Sequence, residues 1–368
     1  MYLDQNSKRH LSSLRIAVEL ILIISGLYII TRRPKWARPF EPTPIPTRSG
    51  AYFVTEAEAA YDEGRLDEAI AAYEKAAALE PTDPEIFISW ARLLTLRHHT
   101  TEAIQQARRA VELAPDNAAA HAVLGRALDW NGQLDDAISS CLQAIELDPS
   151  YAEGYTYLAE VYADKRRWER ALDTAQQAVE LDGSSVDVFR NLGYVLEMRG
   201  RYEEAIAAYQ EAIALHPKLA FLYVSVGRNY RVLGDYEEAI AQFERAATVD
   251  PGDAGAHDEL GWTYYQLEER ERATRELEKA LEVDPEYVSA YGHLGVIYYT
   301  QRNYEEAIAN LKRAIELGGD RVEYYYELGL SYAYLDQCDQ ARYWLTRTLE
   351  IDPQSPSALR GLELCSPE

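Results

Sequence analysis

One phrase in this sequence returns at regular intervals. The stretch RYEEAIAAYQEAIALHP begins at Arg201, and related stretches begin 34 residues later at Asp235 and 102 residues later at Asn303. The second offset is three times the first, so the repeat has a period of 34 residues. Self-similarity on a period of about 20–50 residues is typical of repeat architectures, in which each unit contacts mainly its neighbours. The period therefore constrains the fold more strongly than the length of 368 residues, which alone would fit several globular domains.

The repeat becomes regular when the chain is laid out in rows of one period each. Nine rows begin at Gly50, Pro84, Ala118, Ala152, Val186, Ala220, Ala254, Val288 and Val322. One column is alanine in all nine rows, from Ala69 to Ala341, and another holds only alanine and glycine. Each row contains two apolar-periodic segments with helical spacing, separated by glycine or another turn residue. The rows therefore predict nine helical hairpins, and their small columns allow the helices to approach closely.

The column pattern also resembles a known family. Row five carries Leu192, Gly193, Leu196, Ala205, Tyr209, Ala212 and Pro217, and row six carries Val226, Gly227, Tyr230, Ala239, Phe243, Ala246 and Pro251. This pattern resembles the tetratricopeptide repeat. Over residues 50–355 the resemblance implies an all-α fold, a right-handed α-solenoid of nine helix-turn-helix repeats. Residues 356–368 are predicted to form a capping helix and tail.

The first fifty residues have a different composition from the rows. Ile16–Ile30 contains one charged residue, Glu19, and the wider segment 11–31 approaches the length of a membrane span. We predict an N-terminal tail at 1–10, a single-pass transmembrane helix at 11–31 and a basic, proline-rich linker at 32–49. A signal peptide and an interfacial helix remain alternatives. The distribution of basic residues favours a cytoplasmic location for the repeats.

Charge and motifs exclude several functions. The net charge of −24 argues against a nucleic-acid partner, because phosphate binding needs a basic face. The three cysteines form no C-x-x-C pair and are predicted to be packing residues. The sequence has no phosphate-binding, zinc-protease or nucleophile-elbow motif. We therefore expect a protein that is not an enzyme and that has no cofactor, no metal site and no small-molecule substrate.

The resemblance also implies a place for a ligand. In the family, the first helix of each repeat lines a concave groove that binds segments of partner proteins. The predicted partner-binding residues are Arg190, Asn191, Tyr194, Arg228, Arg231, Trp262, Tyr265, His293, Tyr299, Tyr326 and Tyr334. Arginine pairs well with carboxylates, and tyrosine and tryptophan dominate binding hot spots. The groove is therefore predicted to bind a protein or peptide segment that carries acidic and aromatic residues.

Two functions fit these predictions. The first is a membrane-anchored scaffold or adaptor that binds a partner segment in its concave groove. The alternative is a bacterial envelope-assembly or quality-control factor that regulates a membrane enzyme through its transmembrane helix. Replacing the apolar segment by an unrelated one separates them, because the scaffold would keep its function and the span-dependent regulator would lose it.

Overall fold

The computed structural model describes residues 6–32 and 48–366, and in the first helix it describes the side chains of residues 15–28. In these residues the regular secondary structure is helical, with twenty α-helices and no strand. The chain divides into two units, Met1–Arg48 and Ser49–Glu368. The predicted linker at 32–49 falls mainly on residues 33–47, which lie outside the described residues, as do residues 1–5 of the predicted tail.

Helix α1 spans Asn6–Arg32 in the first unit. The large apolar side chains described in it, such as Ile21 and Leu22, are exposed. Arg15 and Glu19 lie one turn apart with 4.0 Å between Nε and Oε1, which is the pairing expected from their spacing. Within the residues that the structure describes, however, none of the helices combines enough length with enough apolar character to cross a membrane. The transmembrane helix predicted at 11–31 is therefore not supported.

The second unit consists of consecutive helical hairpins. Their first helices are α2 (Gly50–Asp62), α4 (Pro84–Leu96), α6 (Ala118–Trp130), α8 (Ala152–Asp164), α10 (Val186–Met198), α12 (Ala220–Leu233), α14 (Ala254–Gln266), α16 (Val288–Thr300) and α18 (Val322–Tyr334). Their second helices are α3 (Leu66–Leu79), α5 (Thr100–Leu113), α7 (Leu134–Leu147), α9 (Trp168–Leu181), α11 (Tyr202–Leu215), α13 (Tyr236–Val249), α15 (Arg270–Val283), α17 (Tyr304–Glu316) and α19 (Cys338–Ile351). A short helix, α20 (Pro356–Leu364), follows them.

Each hairpin turns through one residue in the left-handed conformation. Glycine takes this place in four turns, including Gly64 and Gly132, where φ is 77°. The other five turns place His98, Arg166, Glu268, Arg302 and Asp336 there, with φ between 56° and 62°. A left-handed residue lets the next N–H groups bond back to the last turn of the helix, as Arg65 N–H does to the Ala60 carbonyl at 2.8 Å. All nine turns therefore use a left-handed residue, although only four of them have glycine there.

Small residues bring the two helices of each hairpin together. The alanine column from Ala69 to Ala341 is fully buried in every row. At Gly227 an added Cβ would lie 2.5 Å from the Phe243 ring, so that only glycine leaves space for this large side chain. The alternation of small and large residues on the two helices thus produces the close packing of each hairpin.

The first hairpin contacts a hairpin much later in the chain. A Cβ added to Gly64, in the α2–α3 turn, would lie 1.9 Å from the Lys218 carbonyl oxygen in the α11–α12 turn. Beside this contact the rings of Tyr61 and His216 meet edge to face, with 5.1 Å between their centroids. The array therefore curves until the α2–α3 turn touches the α11–α12 turn. We call this contact the closure. The α2–α3 turn also lies beside residues 249–251 at the α13–α14 turn. We call α2–α11 the closed half of the array and the later hairpins its open half.

The last hairpin is covered by α20, as the capping-helix prediction anticipated. Ala358 and Cys365 are buried against Leu330 and Leu345 of the last hairpin. The prediction that all three cysteines are packing residues is wrong for two of them, because Cys338 and Cys365 form a disulfide. The two are 27 residues apart in the sequence, and α20 brings them together by folding back over α18 and α19. Cys141 is a free, fully buried thiol, as predicted.

Candidate partner-binding groove

The inner face of the closed half is filled by the chain's own side chains. Arg92 of α4 pairs with Glu153 of α8 at 3.3 Å, and Arg126 of α6 lies 3.5 Å from Asp187 of α10. Each pair skips one hairpin, so the side chains cross the concave face. The Arg126 side chain is completely buried, with its guanidinium 4.9 Å from the centre of the Tyr157 ring. This part of the concave face is consequently a polar core and does not offer a groove.

Arg190, Asn191 and Tyr194 lie at the end of this polar core. Arg190 Nη2 and Asn191 Nδ2 both donate to Oε2 of Glu160, at 2.8 and 2.7 Å. The hydroxyl of Tyr194 donates to Asp164. Neighbouring guanidinium groups, Arg190 first, lower the pKa of the Glu160 carboxyl in spite of its burial. Arg190 and Asn191, which were predicted to bind a partner, are buried and bind a carboxylate of this chain.

The pKa of Asp129, which lies beside Glu160, is shifted in the opposite direction. Its carboxyl is buried, and neither of its oxygens has a hydrogen-bond partner. Burial, together with the negative charges of Glu160 and Asp164, raises the pKa of Asp129 well above its ordinary value. Two adjacent buried carboxyl groups therefore differ in charge at neutral pH: Glu160 is ionised and Asp129 is protonated.

Arg228 and Arg231 of α12 share one carboxylate. Arg228 Nε and Arg231 Nη1 donate to the two oxygens of Glu259 in α14. Burial opposes ionisation of Glu259, but the two guanidinium groups outweigh it and lower its pKa. Glu259 thus balances one of the two positive charges, and the Arg228 side chain stays 50% exposed, so an acidic partner segment would share these guanidinium groups with Glu259.

Trp262, Tyr265 and His293 form a continuous aromatic group across α14 and α16. The Trp262 and His293 rings are stacked with 4.2 Å between their centroids, and the Tyr265 ring lies 5.0 Å from Trp262. His293 Nδ1 lies 2.7 Å from Asp258 Oδ1, which fixes the orientation of the imidazole. Trp262 and Tyr265 are half-buried, so their rings remain accessible on the first helices of the open half.

Tyr299 and Tyr334 form a second aromatic group with a residue that was not predicted, Tyr304. The Tyr304 and Tyr334 rings are stacked with 4.9 Å between centroids, and Tyr299 lies 6.1 Å from Tyr304 and 6.4 Å from Tyr334. Tyr334 is 47% exposed. Tyr326 is half-buried and, like Tyr299, packs against the buried residues of the last hydrophobic cluster.

Three carboxyl groups that accompany these predicted residues were not predicted from the sequence. Asp258, Glu259 and Glu327 are all buried on first helices. A signal was present, because five successive rows place Asn191, Ser225, Glu259, His293 and Glu327 in one column. Asn191 and His293 were selected from that column, whereas the two glutamates between and after them were not. Over the described part of the chain, no group of three or more His, Cys, Asp or Glu side chains is placed to hold a metal ion.

Comparison with known families now identifies the repeat. Profiles described as tetratricopeptide repeat match residues 60–127, 118–151, 140–173, 158–220, 259–322 and 298–356, and a profile described as TPR repeat matches 227–268. The chain contains tetratricopeptide repeats. These repeats are in general protein-interaction scaffolds. A comparison with curated proteins gives no match.

Two solved structures superpose on most of this chain and share its helical fold. The Cut9 and Hcn1 hetero-tetramer of the APC/C contains a chain that superposes with a TM-score of 0.63 at 16% identity; the match covers 86% of the present chain and 64% of that chain. The human IFIT1 dimer with PPP-AAAA gives a TM-score of 0.60 at 18% identity and coverages of 85% and 81%. Similarity at these identities establishes the tetratricopeptide-repeat solenoid and nothing about ligands.

Proposed function

We propose that the chain is a non-enzymatic adaptor, built of nine tetratricopeptide repeats, that binds a segment of a partner protein on the first helices of its open half, α12, α14, α16 and α18. The observation that carries this proposal is the contrast between the two halves of the concave face. In the closed half this face is filled by ion pairs such as Arg92–Glu153. In the open half it presents accessible aromatic rings, including Trp262 and Tyr334.

Aromatic rings on a concave surface favour protein binding for a physical reason. Tyrosine and tryptophan contribute a large contact area with few rotatable bonds, so that little conformational entropy is lost when a partner covers them. Tyr265, Tyr299 and Tyr334 belong to successive first helices, so that their rings extend along the array. An extended partner segment lying across the three hairpins would contact these rings in turn.

The test of this proposal compares two tyrosines of the same hairpin. Tyr334 is on the first helix of the last hairpin and is 47% exposed; Tyr343 is on its second helix and is 55% exposed. Proteins captured by the immobilised full chain are identified by mass spectrometry, and the affinity of each is measured for the wild type, Tyr334→Ala and Tyr343→Ala. We expect Tyr334→Ala to weaken binding of a groove partner at least about tenfold, the cost of removing a hot-spot residue. Tyr343→Ala is expected to have no such effect.

Two results would contradict the proposal. If Tyr334→Ala and Tyr343→Ala weaken partner binding equally, the binding surface is not confined to the first helices. If all three proteins bind every captured partner with the same affinity, the tyrosine rings are not contacts. Charge reversal of Arg228 or Arg231 is a poor test by comparison. It would leave Glu259 buried beside another negative charge and would perturb the fold whether or not a partner binds there.

The remaining sequence predictions concern the membrane. The alternative function, regulation of a membrane enzyme through the segment 11–31, requires a transmembrane helix for which the described residues give no support. The cytoplasmic location of the repeats stays a prediction. The Cys338–Cys365 disulfide weighs against it, because disulfides form and persist mainly in oxidising compartments.

A further inference from the structure

We propose that the Cys338–Cys365 disulfide is a redox-sensitive latch that holds α20 on the last hairpin. Reduction of this bond by a dithiol releases α20 and uncovers the apolar surface beneath it. The bond joins the first residue of α19 to the residue that directly follows α20, and the two are 27 positions apart. It therefore closes the segment of chain that folds back over the end of the array.

Helix α20 lies where the first helix of a further hairpin would lie. It begins at Pro356, one period of 34 residues after Val322, the first residue of α18. Cys365 accordingly stands in the same column as the fully buried Ser331, and it is itself buried. The other first helices pack along a second helix of their own, whereas the main contacts of α20 in the described residues are with α18 and α19. Helix α20 is therefore attached to the array along one side.

The packing of α20 on the hairpin involves mostly small side chains. Gly361 is buried, and a Cβ added to it would lie 2.7 Å from Leu345 Cδ1, so the backbone of α20 rests directly on that leucine. Of the three leucines in α20, Leu362 is half-buried, and Leu359 and Leu364 are 48% and 52% exposed. Because stabilisation follows the apolar area that is buried, this contact stabilises the docked helix only weakly. A helix of nine residues also does not persist by itself once it is detached.

The disulfide supplies the attachment that this packing lacks. Closing a loop of this length typically shifts the equilibrium towards the closed form by about a hundredfold. A hydrogen bond assists it, because Arg342 Nη1 donates to the Cys365 carbonyl at 3.1 Å. Without the disulfide, this hydrogen bond and the packing of α20 have to offset the entropy of the freed segment.

The exchange reaction can begin at Cys338. This residue is half-buried, whereas Cys365 is only 6% exposed. A thiolate of the dithiol attacks Cys338 Sγ, forms a mixed disulfide and displaces the Cys365 thiolate, which takes up a proton. The second thiol of the reductant then displaces Cys338, so the reductant leaves as its own disulfide and both cysteines become thiols. Two electrons and two protons are thus transferred to the protein.

Release of α20 also affects the surface proposed to bind a partner. Tyr299 and Tyr326 pack against the same cluster of buried residues that α20 covers, which includes Leu330 and Leu345. Freeing one side of this cluster loosens the support of both rings, so reduction should weaken the affinity for a groove partner several-fold. This consequence rests on the proposed function, whereas the latch itself does not.

The test compares the full chain before and after treatment with dithiothreitol in the absence of denaturant. Thiols are counted by alkylation and mass spectrometry, and amide hydrogen exchange is followed helix by helix. We expect Cys338 and Cys365 to become alkylated while the fully buried Cys141 stays unmodified. Exchange in α20 should become at least about tenfold faster, and exchange in α10 and α11 should not change. Reoxidation should restore the protection of α20.

Cys338→Ser is the matched variant, because it removes the disulfide without a reductant. Its α20 should exchange as fast as that of the reduced wild type, and dithiothreitol should cause no further change. Alkylation that requires denaturant, or unchanged protection of α20 after reduction, would show that packing alone holds the cap and would overturn the proposal. Faster exchange in every hairpin would also contradict it, since the disulfide would then support the whole array. If partner binding does not depend on Tyr334 but reduction still releases α20, the latch stands and the adaptor function falls.

Discussion

Glutamine in place of Glu160 is expected to lower the free energy of unfolding by about 3–5 kcal/mol, the cost of removing one partner of a buried ion pair. Glu160 is 3% exposed and accepts hydrogen bonds from Trp130 Nε1 at 2.9 Å, from Arg190 and from Asn191. A glutamine has one acceptor oxygen instead of two and leaves Arg190 buried without its closest negative charge. Denaturant unfolding of the full chain at pH 7 measures the difference.

Asp129→Asn is the matched control, because it changes the neighbouring buried carboxyl in the same way. The pKa of Asp129 is raised, so its side chain is already neutral at pH 7, and the amide replaces a protonated acid of nearly the same shape. The free energy of unfolding should therefore change by less than about 1.5 kcal/mol. Equal losses in the two variants would contradict the assignment of charge to Glu160 and of a proton to Asp129.

The effect of Glu160 on stability has a defined sign with pH. Its pKa is lowered in the folded chain, so its contribution is present above the unfolded pKa and is lost as the pH falls through the folded value. The difference in free energy of unfolding between wild type and Glu160→Gln should accordingly shrink as the solution is made acidic. A difference that grows towards acidic pH would contradict the ion pair.

Alanine in place of Gly64 is expected to open the closure. The substitution costs about 1–2 kcal/mol for a Cβ in the left-handed conformation, and steric overlap with the Lys218 carbonyl adds about 1–3 kcal/mol unless the two turns separate. Separation would increase the radius of gyration measured by small-angle X-ray scattering. It would also speed amide hydrogen exchange in the α11–α12 turn, because that turn would lose its contact with the first hairpin.

Gly132→Ala supplies a control with the same backbone strain. Gly132 occupies the corresponding turn of the third hairpin with the same φ of 77°, and an added Cβ meets no atom within 4 Å. Gly132→Ala should therefore lower the free energy of unfolding only by the cost of a Cβ in the left-handed conformation. It should leave both the scattering curve and the hydrogen-exchange pattern unchanged. Indistinguishable scattering and exchange for the two variants would show that the contact with Lys218 does not hold the closure.

The sequence predicted the local structure well because every determinant of a hairpin recurs within one row. The periodic apolar residues indicate the helices. Asp83 caps α4 by accepting a hydrogen bond from the Glu85 N–H at 3.0 Å, and Pro84 lies in the first turn. The small residue at Gly227 faces the large residue Phe243 inside the same hairpin. Such contacts can be read from a single row without knowing how successive hairpins are rotated.

The groove was harder to predict because its contacts join different hairpins. The Arg126–Asp187 and Arg92–Glu153 pairs each join residues of alternate rows, and they form only where the array curves tightly enough to bring alternate first helices together. Arg228 and Arg231 likewise form ion pairs with Glu259 in the next hairpin. The curvature results from small rotations between neighbouring hairpins, which side-chain packing sets and which a column pattern does not reveal.

Because of the closure, the two halves differ in how well they tolerate the insertion or deletion of whole hairpins. Repeat arrays commonly lengthen or shorten by whole units, since each unit interacts chiefly with its neighbours. One unit inserted or deleted between Gly64 and Lys218 would shift the two turns out of register and uncover the ion pairs behind them. The same change between α15 and α18 would alter only the length and the aromatic content of the binding surface. Duplication should therefore be tolerated in the C-terminal hairpins, where new specificities could arise, and selected against in the N-terminal ones.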